Sequence, residues 1–219
     1  MTVAERPPRP TNPAAGYGAL NSTVGAPIYV GAMAEIVLFH HAGGLTDGVL
    51  AFAQTLKDAG HTVHAPDLFD GRTFNDVRDG VAYAQSLGEE TFAAQAAEII
   101  TPLGTGLVYG GMSMGAARAA EQVLERPGAK GAFFLYGAIA PSWWEATWPA
   151  DVPTQAHVTE GDEWREPEAE EEYVADIPGA ELFVYPGSGH LFAEPGHPDY
   201  DEEAARLATE RVLSFLAVL

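Results

Sequence analysis

The chain has 219 residues, which is enough to bury a substantial core and is most simply one domain. Hydrophobic residues make up 47% and charged residues 19%, values typical of a globular protein, and they argue against global disorder. The 31 acidic and 11 basic residues give a net charge of −20, which argues against nucleic acid or an anionic membrane as a partner.

The chain contains no cysteine, which removes disulfides, thiolate metal sites and a cysteine nucleophile. No apolar run reaches the length of a membrane span, since the longest, residues 131–144, is short and contains Pro141 and Ser142. The N-terminal residues lack the continuous apolar core of a secretory signal. These features predict a soluble, cytoplasmic protein with no membrane partner.

The first 32 residues differ in composition from the rest of the chain. Residues 6–10 read Arg-Pro-Pro-Arg-Pro, which is typical of extended or disordered chain, and residues 26–30 could form only a marginal edge strand. A compact apolar run follows Met33 almost directly. We therefore expect an extended or disordered extension over residues 1–32 and a folded domain over residues 33–219.

From Met33 onwards, strand-like and helix-like segments alternate, which is typical of a mostly parallel α/β sheet with helices on both faces. Six strands are predicted, over residues 36–39, 62–65, 106–109, 131–136, 154–158 and 181–185. Apolar spacing predicts a helix over 49–56 that stops at Gly60, one capped by Asn75, and others over 92–100, over 116–124 and from about Asp201. The acidic residues crowded between 160 and 176 fit a solvated helix face, and their spacing shows no EF-hand pattern.

Residues 109–115 read Tyr-Gly-Gly-Met-Ser-Met-Gly and lie between a predicted strand and a predicted helix. The pattern G-x-S-x-G in this setting is typical of a nucleophile elbow, with Ser113 as the nucleophile. Gly111 and Gly115 are required because side chains at these positions would clash around so sharp a turn. The alternative is a plain strand-to-helix turn with a capping serine.

A serine nucleophile needs a general base and an acid that orients the base. In α/β hydrolases these residues follow the serine in the order Asp or Glu, then His. The glycine-rich turn after the last strand ends in His190, at the carboxyl edge of the sheet where catalytic groups gather. The loop after the fifth strand carries Asp162, which we predict as the acid, with Glu160 as the alternative.

Two backbone N–H groups should stabilise the oxyanion of the reaction. One belongs to Met114, directly after the serine, and the other should come from the loop after the first strand, from Ala42 or alternatively from His41. His40 and His41 do not predict a metal site, because adjacent residues at a strand end point to opposite faces. No metal and no cofactor are expected.

Four side chains are candidates for the substrate pocket. Trp143 and Trp144 follow the fourth strand and could form an aromatic wall, or they could simply pack a surface loop. Arg72 could attract a substrate carboxylate, or it could be an ordinary surface arginine. The fourth candidate is His41, at the end of the first strand.

Together these segments resemble the dienelactone hydrolase family of α/β hydrolases. The matching stretches are residues 36–44, 60–69, 110–115 and 185–193, and the likeness extends from about Met33 to Leu219. The resemblance implies a compact, lidless α/β hydrolase with a shallow, open pocket. It also places Ser113, Asp162 and His190 at the positions of the family's catalytic triad.

The chain departs from the best-known members of that family in two ways. They use a cysteine nucleophile and carry a glutamate at the position of His41, whereas this chain has Ser113 and no cysteine. Both differences disfavour dienelactone itself as the substrate. They favour a serine-esterase mode, in which His190 accepts the serine proton directly and Asp162 stabilises the imidazolium.

The leading prediction is a serine hydrolase that cleaves a small carboxylic ester or lactone, as a monomer or a small homo-oligomer. Acyl transfer and peptide hydrolysis by the same triad are alternatives. A different alternative is a catalytically silent α/β-hydrolase scaffold that binds a small ligand or a partner. The complete set of serine, acid and histidine argues against this silent scaffold.

Overall fold

The computed structural model describes residues 33–219, so the predicted extension over residues 1–32 lies outside the described residues. Within this range strands and helices alternate from one end to the other. The strands are β1 Glu35–Phe39, β2 Thr62–His64, β3 Val108–Met112, β4 Gly131–Leu135, β5 Thr154–Thr159 and β6 Glu181–Tyr185. The helices are α1 Asp47–Asp58, α2 Val77–Leu87, α3 Glu89–Ile100, α4 Met114–Glu125, α5 Pro167–Asp176 and α6 Glu202–Leu216.

All six strands belong to one parallel sheet with the order β2-β1-β3-β4-β5-β6. Phe39 pairs in register with Gly111, and Met112 pairs with Leu135. Because parallel strands end at the same edge, the loops after β1, β3, β5 and β6 converge there. The parallel α/β architecture predicted from the sequence is confirmed.

Helices cover both faces of the sheet, and the alternation along β1 shows how. Ile36 and Leu38 point to the layer formed by α1 and α6, while Val37 and Phe39 point to the layer formed mainly by α3 and α4. All four side chains are fully buried. The continuous apolar run of β1 is therefore explained by burial on two faces, as expected for a central parallel strand.

Some predicted boundaries were wrong by a few residues. The third strand was expected over 106–109, but β3 continues through Gly110 and Gly111 to Met112. Glycine was interpreted as the start of the turn, whereas here it is required inside the strand, since a Cβ at Gly110 would overlap the Phe133 ring. The cap of α2 is Asp76 rather than Asn75, because the Asp76 carboxylate accepts the N–H of Arg78 at 2.8 Å.

The acidic segment between 160 and 176 is only partly a solvated helix face. Helix α5 occupies its second half, and most of its carboxylates are exposed. Glu170, however, is buried and accepts two hydrogen bonds from the guanidinium of Arg165. None of the helices within residues 33–219 is long and apolar enough to cross a membrane.

Candidate active site

Ser113 lies at the turn between β3 and α4, in a backbone conformation that L-residues rarely adopt. Its φ is 50° and its ψ is −118°. The Ser113 N–H donates to the carbonyl of Leu135 on β4 at 2.7 Å, which fixes the turn against the sheet. A strained non-glycine residue at the end of a buried strand is the geometry that exposes a serine hydroxyl above an α/β sheet.

The two glycines of the motif allow this turn to be so tight. A Cβ at Gly111 would lie 2.5 Å from the Cα of Ala116, and one at Gly115 would lie 2.6 Å from the carbonyl oxygen of His40. Both distances are shorter than real side chains tolerate. Backbone atoms on either side of Ser113 therefore leave no room for a side chain at Gly111 or Gly115, as predicted from the sequence.

The structure brings Ser113, His190 and Asp162 into one hydrogen-bonded chain. The Nε2 of His190 lies 2.8 Å from Ser113 Oγ, and its Nδ1 lies 2.7 Å from Asp162 Oδ2. A carboxylate only accepts hydrogen bonds, so Nδ1 carries the proton and Nε2 is left to accept from the serine hydroxyl. Glu160, the alternative acid, has an exposed side chain.

Backbone and side-chain contacts hold the loop that carries His190. Thr159 Oγ1 donates to the carbonyl of Gly189 at 2.9 Å, and Asp199 Oδ2 accepts the backbone N–H of His190 at 3.0 Å. The imidazole is flanked by the rings of Tyr136 and Trp164, with centroids 5.9 and 5.8 Å away. Contacts with both rings and with the loop backbone therefore hold the His190 imidazole in place.

Among the described residues, neither the backbone N–H of Ala42 nor that of Met114 donates a hydrogen bond to the protein. Ala42 is fully buried, and helix α2 lies so close to it that a Cβ at Gly80 would overlap the Ala42 carbonyl oxygen. These are the two donors predicted for an oxyanion hole.

His40 and His41 point in different directions, as expected at a strand end. His40 Nδ1 donates to the carbonyl of His41 at 2.8 Å, and its Nε2 accepts the N–H of Leu68 at 3.1 Å. Burial lowers the pKa of His40 to about 4, so the ring is neutral. His41 is buried and pairs with Glu194, so both of its ring nitrogens are engaged within the protein. In residues 33–219 no group of three or more His, Asp or Glu side chains could hold a metal ion.

The remaining pocket candidates lie in different surroundings. Trp143 and Trp144 line a cleft of about 740 Å³ that also includes Met114. Trp144 donates its indole N–H to Glu121 at 3.2 Å, and Trp143 is about half exposed. Arg72 is exposed, with its guanidinium 5.1 Å from the centre of the Tyr83 ring.

Sequence reasoning missed two side chains that shape this region. Asp199 was not predicted to have a role, yet it accepts the N–H groups of His190 and Leu191. Glu194, four positions after His190, was not predicted to have a role either. Its partner, His41, is 153 positions earlier in the chain, and no local pattern reveals such a pair.

Solved structures share this architecture. One is a candidate dienelactone hydrolase from Klebsiella pneumoniae subsp. pneumoniae, with 18% identity, a TM-score of 0.69, and coverage of 87% of this chain and 89% of that chain. A dienelactone hydrolase-like promiscuous phosphotriesterase from metagenomic libraries is 20% identical, with a TM-score of 0.68 and coverage of 86% and 87%. A candidate hydrolase of the α/β superfamily from Xanthomonas campestris pv. campestris is 21% identical, with a TM-score of 0.60 and coverage of 85% and 98%.

At these identities the structural likeness establishes the α/β-hydrolase fold and no more. No curated protein matches the chain in sequence. The sequence profile of the dienelactone hydrolase family, by contrast, matches residues 21–219, which is most of the chain. With the fold and the profile in agreement, the chain belongs to the dienelactone hydrolase family of hydrolases.

Proposed function

We propose that the protein is a serine hydrolase that cleaves small carboxylic esters or lactones through an acyl-enzyme on Ser113. The observation that carries this proposal is the chain of hydrogen bonds from Ser113 Oγ through His190 to Asp162. A serine hydroxyl is a poor nucleophile at neutral pH, and this arrangement supplies the base and the orienting acid that it needs.

In the proposed reaction Ser113 Oγ attacks the acyl carbon while His190 Nε2 accepts its proton. The N–H groups of Met114 and Ala42 stabilise the negative charge on the carbonyl oxygen of the tetrahedral intermediate. The imidazolium then protonates the leaving alcohol, and the acyl group remains on Ser113. A water molecule, deprotonated by His190, hydrolyses the acyl-enzyme, while Asp162 stabilises the imidazolium in both halves.

We place the acyl group of the substrate in the cleft beside Met114, which Trp143 and Trp144 line. Met114 supports this placement because its N–H is a proposed oxyanion donor and the same residue lines the cleft. The lining is mainly apolar, with a buried Arg118–Glu121 ion pair at 2.9 Å. The net charge of −20 favours a small, weakly charged substrate over a polyanion, with neither nucleic acid nor a membrane as partner. We propose a monomer or a small homo-oligomer as the working form.

Hydrolysis of a chromogenic ester series from acetyl to octanoyl by the purified full chain tests the proposal. Ser113→Ala should lower kcat by at least about 10³-fold, because the nucleophile acts as a unit with its base. Ser214→Ala, which removes an exposed hydroxyl on α6, serves as the matched control and should keep full activity. Circular dichroism of each variant checks that the fold is retained.

Covalent labelling by a fluorophosphonate separates an enzyme from a silent scaffold. Wild type should be labelled at Ser113, and Ser113→Ala should not be labelled. Folded wild type that neither turns over any ester nor accepts the label would refute the proposed function. The chain-length profile of an active enzyme would measure how much of the tryptophan-lined cleft the acyl group occupies.

A further inference from the structure

One carboxylate connects the loop after β1, the start of α1 and the loop that carries His190. Glu194 Oε2 accepts a hydrogen bond from His41 Nε2 at 2.5 Å, and its Oε1 accepts one from Thr46 Oγ1 at 2.6 Å. Glu194 itself lies four residues after His190. We infer that His41, Glu194 and Thr46 form a brace that positions the Ala42 N–H relative to His190. This inference rests on the proposed function, in which Ala42 stabilises the oxyanion.

The His41 ring is the part of the brace that shapes the loop around Ala42. Gly43 donates its N–H to His41 Nδ1 at 2.9 Å, and Gly44 donates its N–H to the His41 carbonyl at 3.0 Å. Since Nδ1 accepts, the ring proton is on Nε2, where it is donated to Glu194. Ala42 therefore lies inside a turn closed by the ring and the backbone of the preceding residue.

The carboxylate is buried, ionised and satisfied by both of its partners. The side chains of His41 and Glu194 are only 1% and 9% exposed. Burial by itself would raise the pKa of Glu194, but the hydrogen bonds from His41 and Thr46 outweigh it and hold the pKa below its usual value. Hydrogen bonds to an ionised group are shorter and stronger than neutral ones, so the contacts of Glu194 with His41 and Thr46 hold these side chains firmly.

Thr46 ties the brace to a helix. Its Oγ1 also accepts the N–H of Val49 at 3.2 Å, which makes Thr46 the N-cap of α1. The first turn of α1 packs directly on the carboxylate, since a Cβ at Gly48 would overlap the Glu194 side chain. The brace therefore holds the loop after β1 to the first turn of α1 as well as to the loop that carries His190.

Glu194 acts on the reaction through other groups, so it is a positioning residue rather than a catalytic one. An oxyanion donor is effective only when its N–H is within about 2.7–3.1 Å of the developing charge. Loss of Glu194 frees the His41 ring and lets the Ala42 N–H drift from that position. Binding of the substrate in the tryptophan-lined cleft does not use this loop. The expected signature is thus a lower kcat with an unchanged KM.

The test compares Glu194→Ala with Glu194→Gln, using kcat and KM for the short-chain chromogenic ester. Glu194→Ala should lower kcat by about 10- to 100-fold, less than complete removal of a donor, and change KM less than about twofold. Glu194→Gln keeps an oxygen that accepts from His41 Nε2 and should keep kcat within about threefold of wild type. Glu203→Ala, which removes an exposed carboxylate paired with Arg206, is the matched control and should behave as wild type.

A boronic acid inhibitor reports on the oxyanion site without turnover. Its boron accepts the electron pair of Ser113 Oγ, the serine proton passes to His190, and a boron-bound oxygen takes the oxyanion position. For Glu194→Ala the inhibition constant of butylboronic acid should rise by about the same factor by which kcat falls. A residue that only stabilises the fold would lower the melting temperature and leave kcat and the inhibition constant of the folded protein unchanged.

The outcomes separate the brace from the function on which it rests. Active wild type, inactive Ser113→Ala and a folded Glu194→Ala with wild-type kcat would overturn the brace alone. A Gln variant as slow as the Ala variant would overturn it as well, since the hydrogen bond to His41 would then not be the cause. If Ser113→Ala kept its activity, the proposed function would fail first. Should Glu194→Ala not fold, Glu194→Asp, which keeps the charge but is too short to reach both partners, is expected to show the same loss of kcat.

Discussion

Ser113 is held in a conformation that a glycine would adopt with less strain. In the part of the chain that the structure describes, it is one of four non-glycine residues with a positive φ. Such a conformation destabilises a folded protein by about 1–3 kcal/mol, and tight packing around Gly111 and Gly115 maintains it here. The serine is therefore in place at the expense of folding stability.

This strain predicts an order of stabilities among variants at one position. The free energy of unfolding of Ser113→Gly should be about 1 kcal/mol higher than that of Ser113→Ala, because glycine adopts a positive φ without a Cβ clash. Both variants should lack ester hydrolysis. Urea unfolding followed by circular dichroism measures the difference. An alanine variant as stable as the glycine variant would show that the turn carries no strain.

The two candidate acids differ in what their side chains contact. Asp162 is buried and accepts from both His190 Nδ1 and the N–H of Trp164, while the Glu160 side chain is exposed. Asp162→Asn should lower kcat by about 10²- to 10⁴-fold, because an amide no longer fixes the imidazole tautomer or stabilises the imidazolium. Glu160→Gln should stay within about threefold of wild type. Steady-state kinetics on one ester decides, and the reverse order of effects would transfer the acid role to Glu160.

The three residues Ser113, Asp162 and His190 could be proposed from the sequence because topology limits where they lie. Parallel strands end at one edge, so a residue just after each strand is close to the others whatever the details of packing. Glu194 could not be proposed this way. Its pairing with His41 depends on side-chain directions in two loops and on the close approach of α1 at Gly48, none of which leaves a periodic signal.

At the scale of elements, helix α2 contributes more than a covering layer. Its buried Gly80 lies against Ala42, and a Cβ there would overlap the Ala42 carbonyl oxygen and lie 2.6 Å from its carbon. Gly80→Ala should therefore displace the loop after β1 or push the helix outward. The placement of the Ala42 N–H depends on this contact.

We expect Gly80→Ala to lower kcat for ester hydrolysis by about tenfold, because the second oxyanion donor moves. The gain in helix propensity from glycine to alanine, about 1 kcal/mol, partly offsets the steric destabilisation, so melting temperature alone is a poor readout. Gly104→Ala, where a Cβ would meet nothing within 4 Å, is the matched control. Unchanged kinetics in Gly80→Ala would mean that Ala42 is not the second oxyanion donor, or that α2 shifts outward without displacing the Ala42 N–H.

Element types followed from the sequence more reliably than element ends. The six strands are short apolar runs bounded by turn residues, and the assignment of such runs as strands does not depend on the details of packing. The end of β3 could not be predicted, because Gly110 and Gly111 usually indicate a turn. Here they continue the strand, since a side chain at either position would clash with Phe133 or Ala116. The cap of α2 was ambiguous for a related reason, since Asn75 and Asp76 are both good caps and only the local geometry selects Asp76.

For the whole molecule, the charge of −20 and the buried histidines give opposite responses to acid. Protonation of exposed carboxylates relieves self-repulsion as the pH falls. His157 on β5 acts the other way. It is fully buried beside the rings of Phe183 and Tyr185, and burial together with the charge of Arg211 lowers its pKa to about 3.

His157 is therefore neutral in the folded protein, while in the unfolded chain it binds a proton below its ordinary pKa of 6.5. A depressed folded-state pKa contributes stability that is present above pH 6.5 and is lost as the pH falls toward 3. The loss is about 1.4 kcal/mol for each pH unit below 6.5. Between pH 7 and pH 5 it amounts to about 2 kcal/mol.

The difference in unfolding free energy between wild type and His157→Gln isolates this contribution, because carboxylate repulsion is common to both proteins and cancels. Wild type should lose about 2 kcal/mol relative to His157→Gln when the pH is lowered from 7 to 5. His40→Gln should show the same direction, since the folded-state pKa of His40 is also depressed, to about 4. Urea unfolding at pH 7, 6 and 5 measures both series. A difference that is flat across this range would mean that His157 takes up a proton inside the folded protein as readily as it does in the unfolded chain.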